Sequence, residues 1–155
     1  MGQELKPRGL YFEDFVVGEK YVTPRRTITS TDIVNYACLS GDFNAVHIDW
    51  EFCKTQPYKE PLAHAPLIFG IAAGLQCQSG INDGTLIAFL GMDKWRVLAP
   101  VKHGDTIHMI LVPTEKRLTS KGDRGIVHFD REIKNQRNET VQSMSTSTMY
   151  LCRSK

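Results

Sequence analysis

The sequence predicts an α+β domain in which one buried helix is wrapped by an antiparallel sheet. Three observations carry that prediction. Helical signals fall before residue 80, and extended signals fill the chain after Gly84. The stretch from His64 to Ser79 is rich in Ala, Gly and Leu and has no clearly polar face before Gln76, the pattern of a helix covered on all sides. Along Gly125–Lys134, Val127, Phe129, Arg131 and Ile133 alternate with Ile126, His128, Asp130 and Glu132, the period-two signature of a strand. Early helices followed by a long meander argue for α+β over α/β.

Taken in order, residues 1–10 are polar, with Pro7 and Gly9, and are expected to be a loose lead-in; residues 11–155 form a single domain. Lys20–Ile28 reads as a strand through Tyr21, Val22, Thr23, Thr27 and Ile28, and Pro24 restricts it to an edge or an irregular strand. Ser30 or Thr31 is the expected N-cap of a helix carrying Asp32 in its first turn and closed by Gly41 as the left-handed residue beyond its end. Asp49 is placed to cap a second short helix through Trp50–Lys54. Five strands follow over 85–91, 94–99, 105–112, 125–134 and 139–151. Polar turns separate them at Thr119–Gly125 and Asn135–Asn138.

Composition bounds the function. The 155 residues suffice for one domain that buries roughly 70% of its unfolded surface without help from disulfides or metal. Hydrophobic residues make up 41% and charged residues 23%, which argues against disorder. A net charge of +2 is too small to imply nucleic acid. Cys38, Cys53, Cys77 and Cys152 form no CxxC pair and are expected to be reduced. The longest apolar run, Leu67–Leu75, is too short for a bilayer, and Met1–Lys6 shows no apolar leader, so a cytoplasmic location is expected. GxGxxG, Walker and GxSxG patterns are absent, which argues against a dinucleotide cofactor and a serine nucleophile.

The segment richest in chemistry is Leu39–Asp49. It sets Asp42 and His47 five residues apart just beyond a helix end. Gly41 supplies a tight turn and Asn44 tolerates left-handed backbone, so an irregular loop could aim both side chains at one point. A carboxylate and an imidazole together can hold and activate one water. Residue types alone leave a structural pair open, with Asp42 capping a turn and His47 satisfied in the core.

Ser40-Gly41-Asp42-Phe43-Asn44-Ala45-Val46-His47-Ile48-Asp49 resembles the hydratase motif of the MaoC-like dehydratases, the (R)-specific enoyl-CoA hydratase family. Thr31–Val34, Pro61–His64 and Pro100–Thr106 resemble that family's first-helix entry, approach to the central helix and late turn, and the likeness runs over residues 11–151. It implies a hot-dog fold, a long helix wrapped by an antiparallel sheet. It implies that Asp42 and His47 hold the water that adds across the C2–C3 bond of an enoyl thioester, Asp42 as base and His47 orienting the water and helping to deliver a proton to C2. The backbone N–H of Ala65 would meet the enolate oxygen, and Gly41, Asn44 and His64 would support the loop.

The family usually carries Gly where Ala65 stands, Pro66 has no N–H, and Ile68 or Phe69 replaces a common Ser or Thr, so the acyl pocket is expected to differ in size or polarity. Lys94, Arg96, Lys102 and the Lys116–Arg117 pair are candidates for coenzyme A phosphates, with Trp95 beside them to stack or pack. The resemblance further implies a homodimer, an acyl-CoA substrate, and no cofactor, since the coenzyme A belongs to the substrate. No fourth ligand accompanies Asp42, His47 and Asp49 at a recognised spacing, so no metal is expected. No membrane or nucleic-acid partner is expected. The competing readings are a hot-dog acyl-CoA thioesterase and a non-catalytic subunit that binds acyl thioesters.

Overall fold

A computed structural model describes residues 8–153. Its sheet runs in the order β1 (Tyr21–Val22), β4 (Thr106–Leu118), β5 (Arg124–Lys134), β6 (Thr140–Leu151), β3 (Leu86–Val97), with β2 (Arg26–Thr27) also on β4; every pairing is antiparallel. Helix α4 (Ala65–Gln78) lies against the inner face of this sheet. Ile68, Ala72 and Leu75, at helical spacing, meet Ile107, Met109 and Leu111 of β4 and Phe129 and Ile133 of β5 in one core. Each of these side chains other than Ala72, fully buried, contributes about 1.5–3 kcal/mol. The alternation read in β5 points Val127, Phe129, Arg131 and Ile133 inward, so a guanidinium enters the interior with three apolar side chains.

Several elements differ from the sequence reading. The predicted strand over 20–28 is two dipeptide strands, because Pro24 has no N–H to continue the ladder. Helix α1 (Ser30–Ser40) is capped by Thr29, one residue earlier than expected. The Thr29 hydroxyl accepts from the Asp32 N–H, and the Asp32 carboxylate accepts from the Thr29 N–H, a reciprocal box. Gly41 closes α1 at φ 77°, as expected. The two strands expected at 85–99 are one strand, β3, with an irregularity at Lys94, whose φ is 53°. The lead-in expected to be loose is held from its described end: Gly9 and Leu10 donate backbone hydrogen bonds to Asp83 and Ile81. Residues 1–7 of that segment lie outside the described residues. Gly125 permits the Phe12 ring to lie directly on β5, since a Cβ there would stand 2.2 Å from it.

Helix α4 is not covered all round within one chain. Pro66, Gly70, Gly74 and Cys77 form a stripe of it that stays exposed among the described residues. β3, the sheet's last strand, also exposes Leu86, Ile87, Phe89 and Leu90. All four cysteines are free. Among the described residues no helix is long and apolar enough to cross a membrane.

Candidate active site

Three short elements deliver the site. Beyond the end of α1, the Ser40 hydroxyl bonds back to the Tyr36 carbonyl and accepts from the Asp42 N–H, which fixes the turn at Gly41. The segment expected to be irregular then contains one helical turn, α2 (Ala45–Ile48), followed by α3 (Trp50–Thr55), which Asp49 caps as predicted. His47 therefore projects from a helical turn. Asn44 is the cap residue before it at φ −55°, and not a left-handed residue, because α2 starts there.

The two oxygens of Asp42 have different surroundings. Oδ1 accepts from the Asn44 side-chain amide at 2.6 Å and its backbone N–H at 3.3 Å. Oδ2 faces His47 Nε2 at 3.8 Å, too far for a direct hydrogen bond and close enough for both atoms to reach one water. The hydrogen bonds from Asn44 hold the Asp42 carboxyl below the ordinary carboxylate range, so it is ionised at neutral pH and has a lone pair free to accept a proton. A lowered folded pKa stabilises the native state above the ordinary carboxylate range, an effect lost as pH falls through the folded value. Asn44→Ala removes the side-chain donor, and we expect the Asp42 carboxyl to titrate at higher pH. Carbon-detected NMR titration checks this; an unmoved titration would refute the assignment.

His47 is oriented from behind. Its Nδ1 lies 2.7 Å from the Leu62 carbonyl oxygen, which can only accept, so Nδ1 carries the hydrogen and Nε2 offers a lone pair to the cleft in the neutral ring. The His64 ring stacks on it at 3.6 Å between centroids, with Tyr36 at 4.9 Å from His64. His64 is 2% exposed, and its Nε2 donates to the Asp42 backbone carbonyl at 3.0 Å. His64 thus ties the carboxylate segment to the start of α4.

Asp42, His47 and His64 present ligand atoms within 4.8 Å of one another, a grouping that could hold a cation. Two ligands about 2.1 Å from one tetrahedral zinc stand about 3.4 Å apart. Here the separations to Asp42 Oδ2 are 3.8 and 4.0 Å, and the His64 Nε2 hydrogen is committed to a carbonyl. The arrangement suits a water better.

Ala65 is the first residue of α4. Its N–H has no partner within the helix, and Ala65 lines the same open cleft, of about 480 Å³, as Asp42 and His47. The dipole of α4 adds positive potential there. Gln142, buried on β6, donates to the Ala65 carbonyl at 2.9 Å and accepts from Trp95 Nε1 at 3.0 Å, an anchor for the helix start that no local sequence signal marked. Ile68, Val97, Leu98 and Pro100 supply apolar walls.

The basic candidates are not gathered at this cleft. Lys94 lines a groove with Lys20, Asp130 and Glu132, and Arg96 stands exposed on β3 opposite Ser143. Lys102 is closest in the fold. It pairs with Leu62 in an isolated bridge, and its ammonium faces the Tyr58 carbonyl and Glu60. Lys116 donates to the carbonyls of Phe12, Glu13 and Phe15. That network uses its ammonium for structure.

A curved antiparallel sheet closed on one long helix, with a polar pair beside the helix start, defines a hot-dog domain. The chain belongs to the MaoC-like domain family, which it matches over residues 14–130. It is 41% identical over 120 residues to protein MaoC of Klebsiella aerogenes, covering 77% of this chain and 35% of that protein, so the chain spans about a third of that relative's length. It is 29% identical over 114 residues to an (R)-specific enoyl-CoA hydratase of Rhodospirillum rubrum, covering 70% of this chain and 76% of that one. A solved structure described as a monoamine oxidase regulatory protein from Archaeoglobus fulgius superposes with a TM-score of 0.85 at 34% identity, covering 97% of this chain and 100% of that one.

Proposed function

We propose that this chain adds or removes water across the C2–C3 bond of an enoyl or 3-hydroxyacyl thioester, with coenzyme A as the thiol part of the substrate and no separate cofactor. The observation that carries the reading is the 3.8 Å gap between Asp42 Oδ2 and His47 Nε2, both open to an apolar-walled cleft beside the Ala65 N–H. A water in that gap donates one hydrogen to each atom and turns a lone pair outward. As its oxygen bonds to C3, Asp42 takes a proton, and the C2–C3 electron pair moves toward the thioester oxygen, where the Ala65 N–H and the helix dipole stabilise the developing charge. The proton then passes from the Asp42 carboxyl to C2, restoring the carboxylate; dehydration runs the same steps backward. Neutral His47 has no Nε2 hydrogen to give, so its part is to orient the water, and the delivery to C2 falls to Asp42.

Relatives that include a named (R)-specific enoyl-CoA hydratase support the same reaction class. The test follows crotonyl-CoA by loss of its enoyl absorbance while free thiol is assayed in parallel. Hydration without thiol release is expected; thiol release with the enoyl group intact would make the protein a thioesterase, and binding with neither would make it a non-catalytic subunit.

The proposed working form is a homodimer. A twelve-residue edge strand exposing Leu86, Ile87, Phe89 and Leu90 is an aggregation hazard unless paired, and a second copy supplies a matching edge. Leu90→Asp is expected to shift the protein to monomer in sedimentation velocity, whereas a monomeric parent protein would end this part of the proposal.

A further inference from the structure

Helix α4 begins without the usual fastening. Its N-cap residue, His64, makes no side-chain hydrogen bond to the first turn, where a Ser, Thr, Asp or Asn would ordinarily accept from one of the orphan N–H groups. A cap of that kind competes with any anion for the same donors. A helix start that is to stay open to a developing negative charge must therefore be fixed through something other than its N–H groups.

Gln142 supplies such a fixing from the sheet. It is 2% exposed on β6, where its backbone pairs with Ile133 of β5 on one side and Val97 of β3 on the other, so the side chain stands on a rigid mount. Nε2 donates to the Ala65 carbonyl at 2.9 Å, and Oε1 accepts from Trp95 Nε1 at 3.0 Å. A carbonyl only accepts and an indole N–H only donates, so the two partners allow the amide one orientation. Strands β3 and β6 and helix α4 thus meet in one chain of hydrogen bonds. On the other side of Ala65, the His64 ring is tied to the Asp42 carbonyl. Ala65 is held between the sheet and the segment that carries the carboxylate, and Gln142 lines the same cleft as Asp42, His47 and Ala65.

We infer that Gln142 is a positioning residue for the hydration reaction: it grips Ala65 by its carbonyl so that the N–H of that residue stays aimed at the thioester oxygen, and the Trp95 indole keeps the amide turned the right way. The inference rests on the reaction proposed above. Charge on the thioester oxygen grows as the C2–C3 electron pair shifts, so a donor held in place matters most in the transition state. Loosening Ala65 therefore slows the chemical step more than it weakens binding of the thioester.

Steady-state kinetics with crotonyl-CoA on the intact protein test this, with the Ala65 amide and Trp95 indole signals followed by NMR. Gln142→Met keeps the volume and removes both hydrogen bonds. Its kcat is expected to fall about 10-fold while KM changes less than about 3-fold, a split that a merely structural amide would not produce in a folded variant. Trp95→Phe removes only the indole donor and is expected to lower kcat in the same sense, which keeps the test decisive even if Gln142→Met does not fold. In the double variant the two losses are expected to fall well short of multiplying, because both act through one amide. The Ala65 amide signal is expected to move in each variant, and the Trp95 indole signal in Gln142→Met. An unchanged kcat in either variant, a rise in KM alone, an unmoved Ala65 amide, or fully multiplicative losses would each overturn this inference while leaving the proposed reaction standing. A parent protein without hydration activity would overturn both.

Discussion

Asp42→Asn is expected to lower hydration of crotonyl-CoA by at least ~10²-fold, the scale for removing a positioned base. The amide matches the carboxylate in size, so the turn at Gly41 and the Asn44 contacts can persist while the proton acceptor is gone. The loss should appear in kcat, because the group acts on the water during bond formation and is not a main contact for the coenzyme. Parallel steady-state kinetics and a thermal melt check it: a folded variant with full turnover would remove Asp42 from the reaction and return its carboxylate to a purely structural role at the turn.

The second large effect is His47→Ala. It deletes the lone pair that holds the water and the ring that stacks at 3.6 Å on His64. A loss of ~10²-fold or more is expected here too. In the double variant Asp42→Asn/His47→Ala the two losses should fall well short of multiplying, because both groups act on one water and neither retains its purpose alone. Rates from the four proteins of this cycle provide the check. Fully multiplicative losses would mean that the two residues act on separate steps.

The site was legible where its chemistry is written in side chains adjacent in sequence. Asp42, Asn44 and His47 stand within six residues, and their pattern resembles a known motif. Ala65 was legible only through that resemblance, since a backbone N–H has no residue type. The Leu62 carbonyl that sets the tautomer of His47 left no mark, because any residue could supply that oxygen. Gln142 was equally silent, being 77 residues from the helix start that it anchors. The surroundings of the candidate cations were silent for a related reason. A lysine reads as a free charge in sequence, whereas Lys116 folds onto three carbonyls more than a hundred residues away.

By itself, the sequence determined that helices precede a long antiparallel meander, the alternation along β5, the glycine that ends α1, and the carboxylate–imidazole pair. These follow from local backbone preferences and from the period of apolar side chains, which act over a few residues. Only the tertiary structure decided that the His64 ring stacks on His47, that Lys102 faces Glu60, that α4 keeps an exposed stripe, and that Arg131 carries its charge into the interior without an acid beside it. Those outcomes depend on which distant segments the sheet curls together. Contacts of that kind are settled by the shared burial of apolar surface across the whole domain, a quantity no short stretch of sequence contains.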